Sequence, residues 1–184
     1  MKFQERIITL KDGRTCVLRP ATPDDAPEML VWLKKTAEET EFLLRYPDEE
    51  KITLEEEVEI LRKKYEDPYA IFMLAVVDGR IAGNCGVAGI GYKRKFRHRC
   101  SMGIALYKEF WGLGIGTAMI EYQTELAKQI GWRQLELEVV ADNVRARALY
   151  KKSGFVETGR HPDAMLFDDG TFHDEILMYK LLNE

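Results

Sequence analysis

A glycine-rich turn stands between a strand pattern and a helix pattern in the middle of the chain. The apolar segment 100–106 predicts a strand, and an apolar face that recurs at helical spacing from Ile115 to Ile130 predicts a helix. Glycines in the turn 112–116 let a ligand approach the backbone, and the free N–H groups of the first helical turn attract an anion. The sequence therefore predicts a diphosphate cradle. It is not a P-loop, because no Gly-Lys-Ser/Thr follows, and Thr117 replaces the last glycine of a dinucleotide fingerprint.

Strand and helix patterns on both sides of this turn predict one α/β domain with a mixed sheet over residues 1–184. Asp-Gly pairs after residues 11 and 77 predict two hairpin turns, and capping residues Thr22 and Thr53 predict two helix starts. The predicted strands are 7–10, 15–18, 71–77, 80–90, 100–106, 135–140, 155–158 and 175–181, and a last helix is predicted over 144–153. Gly83, Gly86 and Gly89 predict bulges or close backbone approach within the fourth strand.

Composition excludes several classes of function. The net charge is −4, from 27 Lys and Arg against 31 Asp and Glu, so a general affinity for polyanions is not expected. The basic stretch 93–99 is interpreted as a solvated loop, and no nucleic-acid partner is expected. Three cysteines without CxxC spacing predict free thiols and no metal. No apolar run approaches the length of a membrane span, so we expect a cytoplasmic protein without a membrane partner.

A second pattern follows the predicted strand 135–140. Asn143, Ala146, Leu149 and Tyr150 stand in the order N-x-x-A-x-x-L-Y-x-x-x-G-F, which ends at Phe155. Together with the glycine-rich turn, this pattern resembles the GNAT N-acetyltransferase superfamily. The resemblance covers about residues 71–181, and residues 18–25 are similar to the first strand and helix of that family.

The resemblance implies an α/β (α+β) fold with a mixed, mostly antiparallel central sheet flanked by helices. It implies acetyl-CoA as the acetyl donor, and it places Asn143 and Tyr150 beside the arm and the sulfur of that cosubstrate. The other implied cofactor-binding residues are Leu106, Leu113, Gly114, Ile115, Gly116 and Thr117. Trp111 stands where the family usually has Gln or Arg, so backbone amides are expected to bind most of the pyrophosphate. Ser101 stands where many relatives carry a glutamate.

Acetyl transfer to an amine needs a proton acceptor, a donor to the oxyanion and a proton for the departing thiolate. Glu136 and Glu138 alternate with apolar residues and share one face of their strand. Glu138 resembles the catalytic glutamate of the ribosomal-protein N-terminal acetyltransferase branch, while Glu136 or a water chain stays open as the base. Tyr150 is the predicted general acid, and a backbone N–H of the strand 101–106 is expected to face the oxyanion. The three histidines, at positions 98, 161 and 173, are interpreted as solvated loop residues without a partner carboxylate.

The sequence therefore favours direct acetyl transfer to a primary amine, either of a small molecule such as an amino acid or polyamine or of a protein N-terminus. A homodimer is compatible with the sequence. The alternatives are a non-catalytic acyl-CoA-binding sensor and an RNA-binding protein that uses the stretch 93–99. Residues 38–67 hold 12 acidic and 5 basic residues, and this acidic segment is expected to attract a cationic amine.

Overall fold

One sheet of eight strands organises the part of the chain that the structure, a computed structural model, describes, namely residues 1–91 and 93–182. Tyr92 and the end of the predicted domain at Asn183 and Glu184 lie outside the described residues. The strands are β1 Arg6–Thr9, β2 Thr15–Pro20, β3 Ala70–Val77, β4 Arg80–Gly89, β5 Arg99–Leu106, β6 Gln134–Val140, β7 Val156–Leu166 and β8 Phe172–Leu181. The helices are α1 Ala26–Glu39, α2 Leu54–Glu66, α3 Ile115–Ile130 and α4 Val144–Lys152.

The strand order is β1-β2-β3-β4-β5-β6-β8-β7, and β5 and β6 form the one parallel pair among the described strands. Helices cover both faces of the sheet. Lys64 of α2 lies over the Phe72 ring, whereas Gln123 of α3 bonds to Met102, whose side chain points to the opposite face. The prediction of a mixed, mostly antiparallel sheet flanked by helices is confirmed.

The predicted helix starts are confirmed with one refinement. The N–H of Thr53 donates to Glu56 Oε2 at 2.9 Å and the N–H of Glu56 donates to Thr53 Oγ1 at 3.2 Å, which is the expected capping box of α2. Thr22 donates from its N–H to Asp25 Oδ2 at 2.7 Å, but a short 3₁₀ turn precedes α1 there. No helix in residues 1–91 and 93–182 combines the length and the apolar character needed to cross a membrane.

Gly83 holds β4 unusually close to the end of β5. A Cβ at this position would lie 2.6 Å from the carbonyl oxygen of Ala105 and 2.7 Å from Leu106 Cγ. The ladder between β3 and β4 also shifts register next to it, between Ala75 and Val76. The predicted close approach is therefore confirmed at Gly83, and it fixes the strand end that leads into the glycine-rich turn.

The last two strands are longer than predicted. β7 extends to Leu166 rather than ending at 158, and β8 begins at Phe172 rather than at 175. Most of β7 is exposed, so its residues carry no alternation of apolar and polar side chains. Hydrogen bonding to β8 stabilises this edge strand, and such pairing produces no recognisable pattern of apolar residues in the sequence.

Candidate active site

A gap opens between β5 and β6 in the centre of the sheet. The two strands pair over three positions, ending at Ser101 and Glu136, although β5 continues to Leu106 and β6 to Val140. The N–H of Tyr107 bonds to β4, so the alternation of a strand directs the N–H of Ile104 away from β4 and into the gap. A backbone donor for the oxyanion was expected within 101–106, and by this alternation the N–H groups of Ile104 and Leu106 both face the gap, with Ile104 nearer to the paired positions.

The predicted cradle lies at the end of this gap. Gly114 caps the N-terminus of α3 with a φ of 98°, a left-handed conformation that suits glycine, and a Cβ there would meet nothing within 4 Å. The first intrahelical bond of α3 runs from the N–H of Ala118 to Gly114, so the N–H groups of Ile115, Gly116 and Thr117 have no helical partner. The first turn of α3 carries no acidic residue. Open space, free donors and the helix dipole together suit a diphosphate.

The hairpin of β1 and β2 supports the glycine-rich turn from outside. The N–H of Lys11 donates to the carbonyl oxygen of Leu113 at 3.2 Å, and the Arg14 guanidinium lies 5.4 Å from the centre of the Phe110 ring. This contact leaves the N–H groups of the turn available and uses one of its carbonyls. The hairpin therefore helps to orient the donors of the cradle.

Trp111 has a structural role that its position in the motif did not suggest. Its indole N–H donates to the carbonyl oxygen of Leu106 at 2.9 Å, which ties the end of β5 to the turn. Its ring also carries two cations, with Arg145 Cζ at 4.6 Å and Lys108 Nζ at 5.7 Å from the ring centre. Nη2 of Arg145 lies 3.9 Å from the position that a Cβ on Gly112 would occupy. Sequence reasoning missed Arg145, although it stands two residues after Asn143 in the second motif.

Helix α4 packs directly on the cradle because Gly116 has no side chain. A Cβ on Gly116 would lie 3.1 Å from Leu149 Cδ2 and 3.7 Å from Leu106 Cδ1. Asn143 caps α4, since its Oδ1 accepts the N–H of Ala146 at 3.0 Å. This bond uses the amide oxygen of Asn143 and leaves its amide nitrogen free to donate.

Tyr150 follows Leu149 on α4 and is 7% exposed. Its ring lies 5.8 Å from that of Phe155, and its hydroxyl has no hydrogen-bond partner among the described residues. Burial raises the pKa of Tyr150 to about 12. The phenol therefore keeps its proton at neutral pH, as a general acid requires.

The structure separates the two candidate bases. Glu136 accepts hydrogen bonds from Nε and Nη2 of Arg99, with Nη2 to Oε2 at 2.7 Å, and from the Gln134 amide at 2.8 Å. Glu138 is exposed and has no hydrogen bond or ion pair among the described residues. It lines a cavity of about 690 Å³ on the sheet face, together with Ser101 of β5. Glu138 is thus the carboxylate that is free to accept a proton, while Glu136 would first have to leave Arg99.

Two further groups near β8 were not expected from sequence. Burial first, and then the negative charge of Glu138, raise the pKa of Glu175. Glu175 lies opposite His161 in the ladder between β8 and β7. His173 lies within 2.8 Å of Asp142 Oδ2 through its Nδ1 and stacks on Phe167 at 3.9 Å. The interpretation of all three histidines as solvated loop residues without a carboxylate is therefore wrong for His173, and His161 lies in β7 rather than in a loop. Its partner is 31 residues away in sequence, so no local pattern marked the pair.

The loop between α1 and α2 and the loop between β7 and β8 are in contact. The N–H of Asp168, between β7 and β8, donates to the Tyr46 hydroxyl at 2.9 Å, and Tyr46 lies between α1 and α2. Within residues 1–91 and 93–182, no group of three or more His, Cys, Asp and Glu side chains is placed to hold a metal ion.

Comparisons with known proteins agree with this architecture. The model of the acetyltransferase (GNAT) domain matches residues 16–156. A protein of Bacillus subtilis (strain 168), described as a ribosomal protein bS18-alanine N-acetyltransferase, is 31% identical over 119 residues, which is 65% of this chain and 74% of that protein.

Solved structures extend the likeness over nearly the whole chain. The acetyltransferase of GNAT family from Streptococcus pneumoniae superposes with a TM-score of 0.85 at 32% identity and covers 90% of this chain and 98% of its own. An acetyltransferase from Salmonella typhimurium, solved with its cofactor acetyl-CoA, has the same fold at 14% identity, with a TM-score of 0.80 over 92% of this chain and 95% of its own. The chain therefore belongs to the GNAT acetyltransferase family.

Proposed function

We propose that the protein transfers the acetyl group of acetyl-CoA directly to a primary amine. The observation that carries the proposal is the pair of proton-transfer groups, a partner-free Glu138 on the open sheet face and a Tyr150 that stays protonated. A protein that only bound an acyl-CoA would have no use for a proton donor beside α4 or for a free carboxylate beside the gap.

The cradle supplies the donor-binding half of the site. The N–H groups of Ile115, Gly116 and Thr117 would hold the diphosphate, with Arg145 adding a guanidinium that faces Gly112. The other residues that we propose for acetyl-CoA binding are Leu106, Leu113 and Gly114, which shape the turn, and Asn143, whose amide nitrogen is free. Acetyl-CoA bound there supplies the thioester carbon that the amine attacks.

The chain's own groups account for each proton in the reaction. Glu138 accepts a proton as the amine nitrogen forms its bond to the carbonyl carbon, and the N–H of Ile104 faces the oxygen on which negative charge develops. The carbon–sulfur bond then breaks, and the Tyr150 hydroxyl gives its proton to the departing sulfur. The proton held by Glu138 returns to the Tyr150 oxygen through solvent, which restores both groups. The products are an N-acetyl amine and CoA.

The acceptor that we propose is a peptide N-terminus or a small primary amine. The sequence similarity to the Bacillus subtilis protein, described as an alanine N-acetyltransferase acting on a ribosomal protein, supports a peptide. The cavity beside Glu138 opens at the sheet face, and such an opening suits the end of an extended chain. The acidic segment 38–67 would favour a cationic acceptor of either kind.

A thiol-release assay tests the activity. Acetyl-CoA is mixed with peptides that begin with a free amine, with the same peptides acetylated at the N-terminus, and with panels of amino acids and polyamines. Thiol release above hydrolysis with any free amine supports transfer. Tight acetyl-CoA binding without release on every panel would instead support a sensor.

Two substitutions with matched controls test the roles. Glu138→Gln and Tyr150→Phe should each lower kcat by about 100-fold, a typical contribution of one acid or base, with little change in acetyl-CoA affinity. Glu136→Gln and Tyr122→Phe remove similar groups and should keep most of the activity, since Tyr122 uses its hydroxyl to bond Gln4. If Glu136→Gln is the variant that loses turnover, the base assignment is wrong.

A further inference from the structure

A basic surface forms at the end of the sheet where β5 and β6 begin. Arg94, Arg97 and His98 from the loop before β5, and Arg133 from the turn after α3, line a cavity of about 830 Å³. We call these four residues the basic surface. The other lining residues are Gly131, Gln134 and Leu181, so no carboxylate of residues 1–91 and 93–182 lines the cavity.

Backbone bonds hold the two parts of the basic surface together. The carbonyl oxygen of His98 accepts the N–H of Arg133 at 2.9 Å and the N–H of Gln134 at 3.1 Å. Turn bonds from Phe96 to Lys93, at 2.8 Å, and from Arg99 to Phe96, at 2.9 Å, order the loop itself. The cations are thus presented by a fixed backbone, which lowers the entropy lost when a ligand binds.

The positive charge of the basic surface is not neutralised locally. Arg94, Arg97 and Arg133 make no ion pair or side-chain hydrogen bond with any residue in the described part of the chain, whereas Arg99 is paired with Glu136. Between Asp78 and Glu109 the sequence has no acidic residue at all. Clustered, exposed cations of this kind attract counterions that a polyanion would release on binding.

The basic surface is separate from the acetyl-CoA cradle. The cradle lies at the N-terminus of α3, while Arg133 follows its C-terminus, and a helix of 16 residues spans about 24 Å. A diphosphate in the cradle would therefore lie too far from the basic surface to be bound by its arginines.

We propose that the basic surface binds the phosphate backbone of single-stranded RNA. Three of its four groups are arginines, whose planar guanidinium groups suit bidentate bonds to phosphate. Phe96, in the same loop and 43% exposed, carries the Arg99 guanidinium 5.3 Å from its ring centre, so a base that stacks on this ring would lie beside a further cation. The sequence favoured a solvated loop, because the contribution of Arg133 comes from a turn 34 residues further along and is visible only in the fold.

Fluorescence anisotropy with a labelled 20-nucleotide oligouridylate tests the proposal between about 50 and 200 mM salt, a range in which a phosphate-bound chain loses affinity steeply. If three phosphates are contacted, log K should fall with log salt with a slope of about −2. The triple variant Arg94→Ala, Arg97→Ala and Arg133→Ala should bind at least about tenfold more weakly, with a flatter slope. The control variant Lys34→Ala, Lys51→Ala and Arg62→Ala removes the same charge from α1, α2 and the segment between them and should bind as wild type.

Several results would overturn the proposal. A flat salt dependence of the wild-type protein does so without any variant, and so does a triple variant that binds like wild type. Displacement of the RNA by saturating CoA would place it in the cradle instead. Competition by poly-L-glutamate as effective as that by RNA would indicate an acidic protein partner. Unchanged thermal stability and acetyl transfer by the triple variant would exclude misfolding as the cause of a loss.

Discussion

Asn143 has two separable tasks, and substitutions at this position can measure each. Its Oδ1 accepts the N–H of Ala146 at 3.0 Å and caps α4, while its amide nitrogen is proposed to donate to the acetyl-CoA arm. Asn143→Ala removes both groups. Asn143→Asp keeps an oxygen that caps and loses the donor, and Asn143→Ser caps without adding charge and replaces the amide N–H groups by a single hydroxyl on a shorter side chain.

The loss of the cap sets the effect on stability. An N-cap replaced by alanine costs about 1 kcal/mol, which lowers Tm by about 2–4 °C in a chain of this size. Asn143→Asp should keep the wild-type Tm, since aspartate caps as well as asparagine does and its charge is favourable at a helix N-terminus.

The loss of the donor sets the effect on binding. One hydrogen bond is worth about 1 kcal/mol, or about fivefold in Kd, because about 1.4 kcal/mol corresponds to tenfold. Calorimetric titration with acetyl-CoA should give a weaker Kd for all three variants, while thermal denaturation should show a lower Tm for Asn143→Ala alone. If Asn143→Ser and Asn143→Asp bind acetyl-CoA as wild type does, the amide nitrogen has no role and Asn143 is only a cap.

Three further predictions follow from the geometry. Arg145→Ala should weaken acetyl-CoA binding by about tenfold or more, the value of a charged hydrogen bond, and should leave the affinity for S-acetylpantetheine, which lacks the diphosphate, unchanged in the same titration. Gly83→Ala should lower the free energy of unfolding, measured by urea denaturation, by about 1–3 kcal/mol, because its Cβ would lie 2.6 Å from a backbone oxygen. The control Gly103→Ala, whose Cβ would have nothing within 4 Å, should change this free energy little. Burial raises the pKa of Cys16 to about 11 and that of Cys100 to about 12. The free energy of unfolding should therefore fall as pH rises above about 9, because unfolded thiols lose protons there that the folded protein retains. A constant free energy of unfolding between pH 8 and 10 would contradict this reasoning.

The local elements of the fold could be predicted because their signals are local. Asp-Gly turns, the Thr53 and Glu56 cap and the glycines of the cradle each act within a few residues. The outer part of β7 could not be predicted, since its exposed residues depend on pairing with β8 for their hydrogen bonds. The sequence also suggested Glu138 as the general base, through a spacing shared with the family. It could not show that Glu136 is hydrogen-bonded to Arg99, because the two residues are 37 positions apart.

The candidate site shows the same division between local and distant causes. Gly114 and Gly116 could be assigned to an anion cradle from the physics of helix termini alone. The role of Arg145 depends on α4 packing against α3, a contact between segments about 30 residues apart, and the pair of His173 with Asp142 depends on β8 lying beside β6. Residues whose partners come from another element are the ones that pattern reasoning missed.

Trp111 departs from the family pattern, and under the proposed function its contacts supply the cradle with a cation in another way. The indole N–H bonds the carbonyl oxygen of Leu106, and the guanidinium of Arg145 lies 4.6 Å from the ring centre. The cation next to the proposed cradle belongs to Arg145 of α4, and it lies over this aromatic ring. Under the proposed function the two residues act together, because the ring holds the guanidinium near the turn and the guanidinium adds a charged donor to the backbone donors.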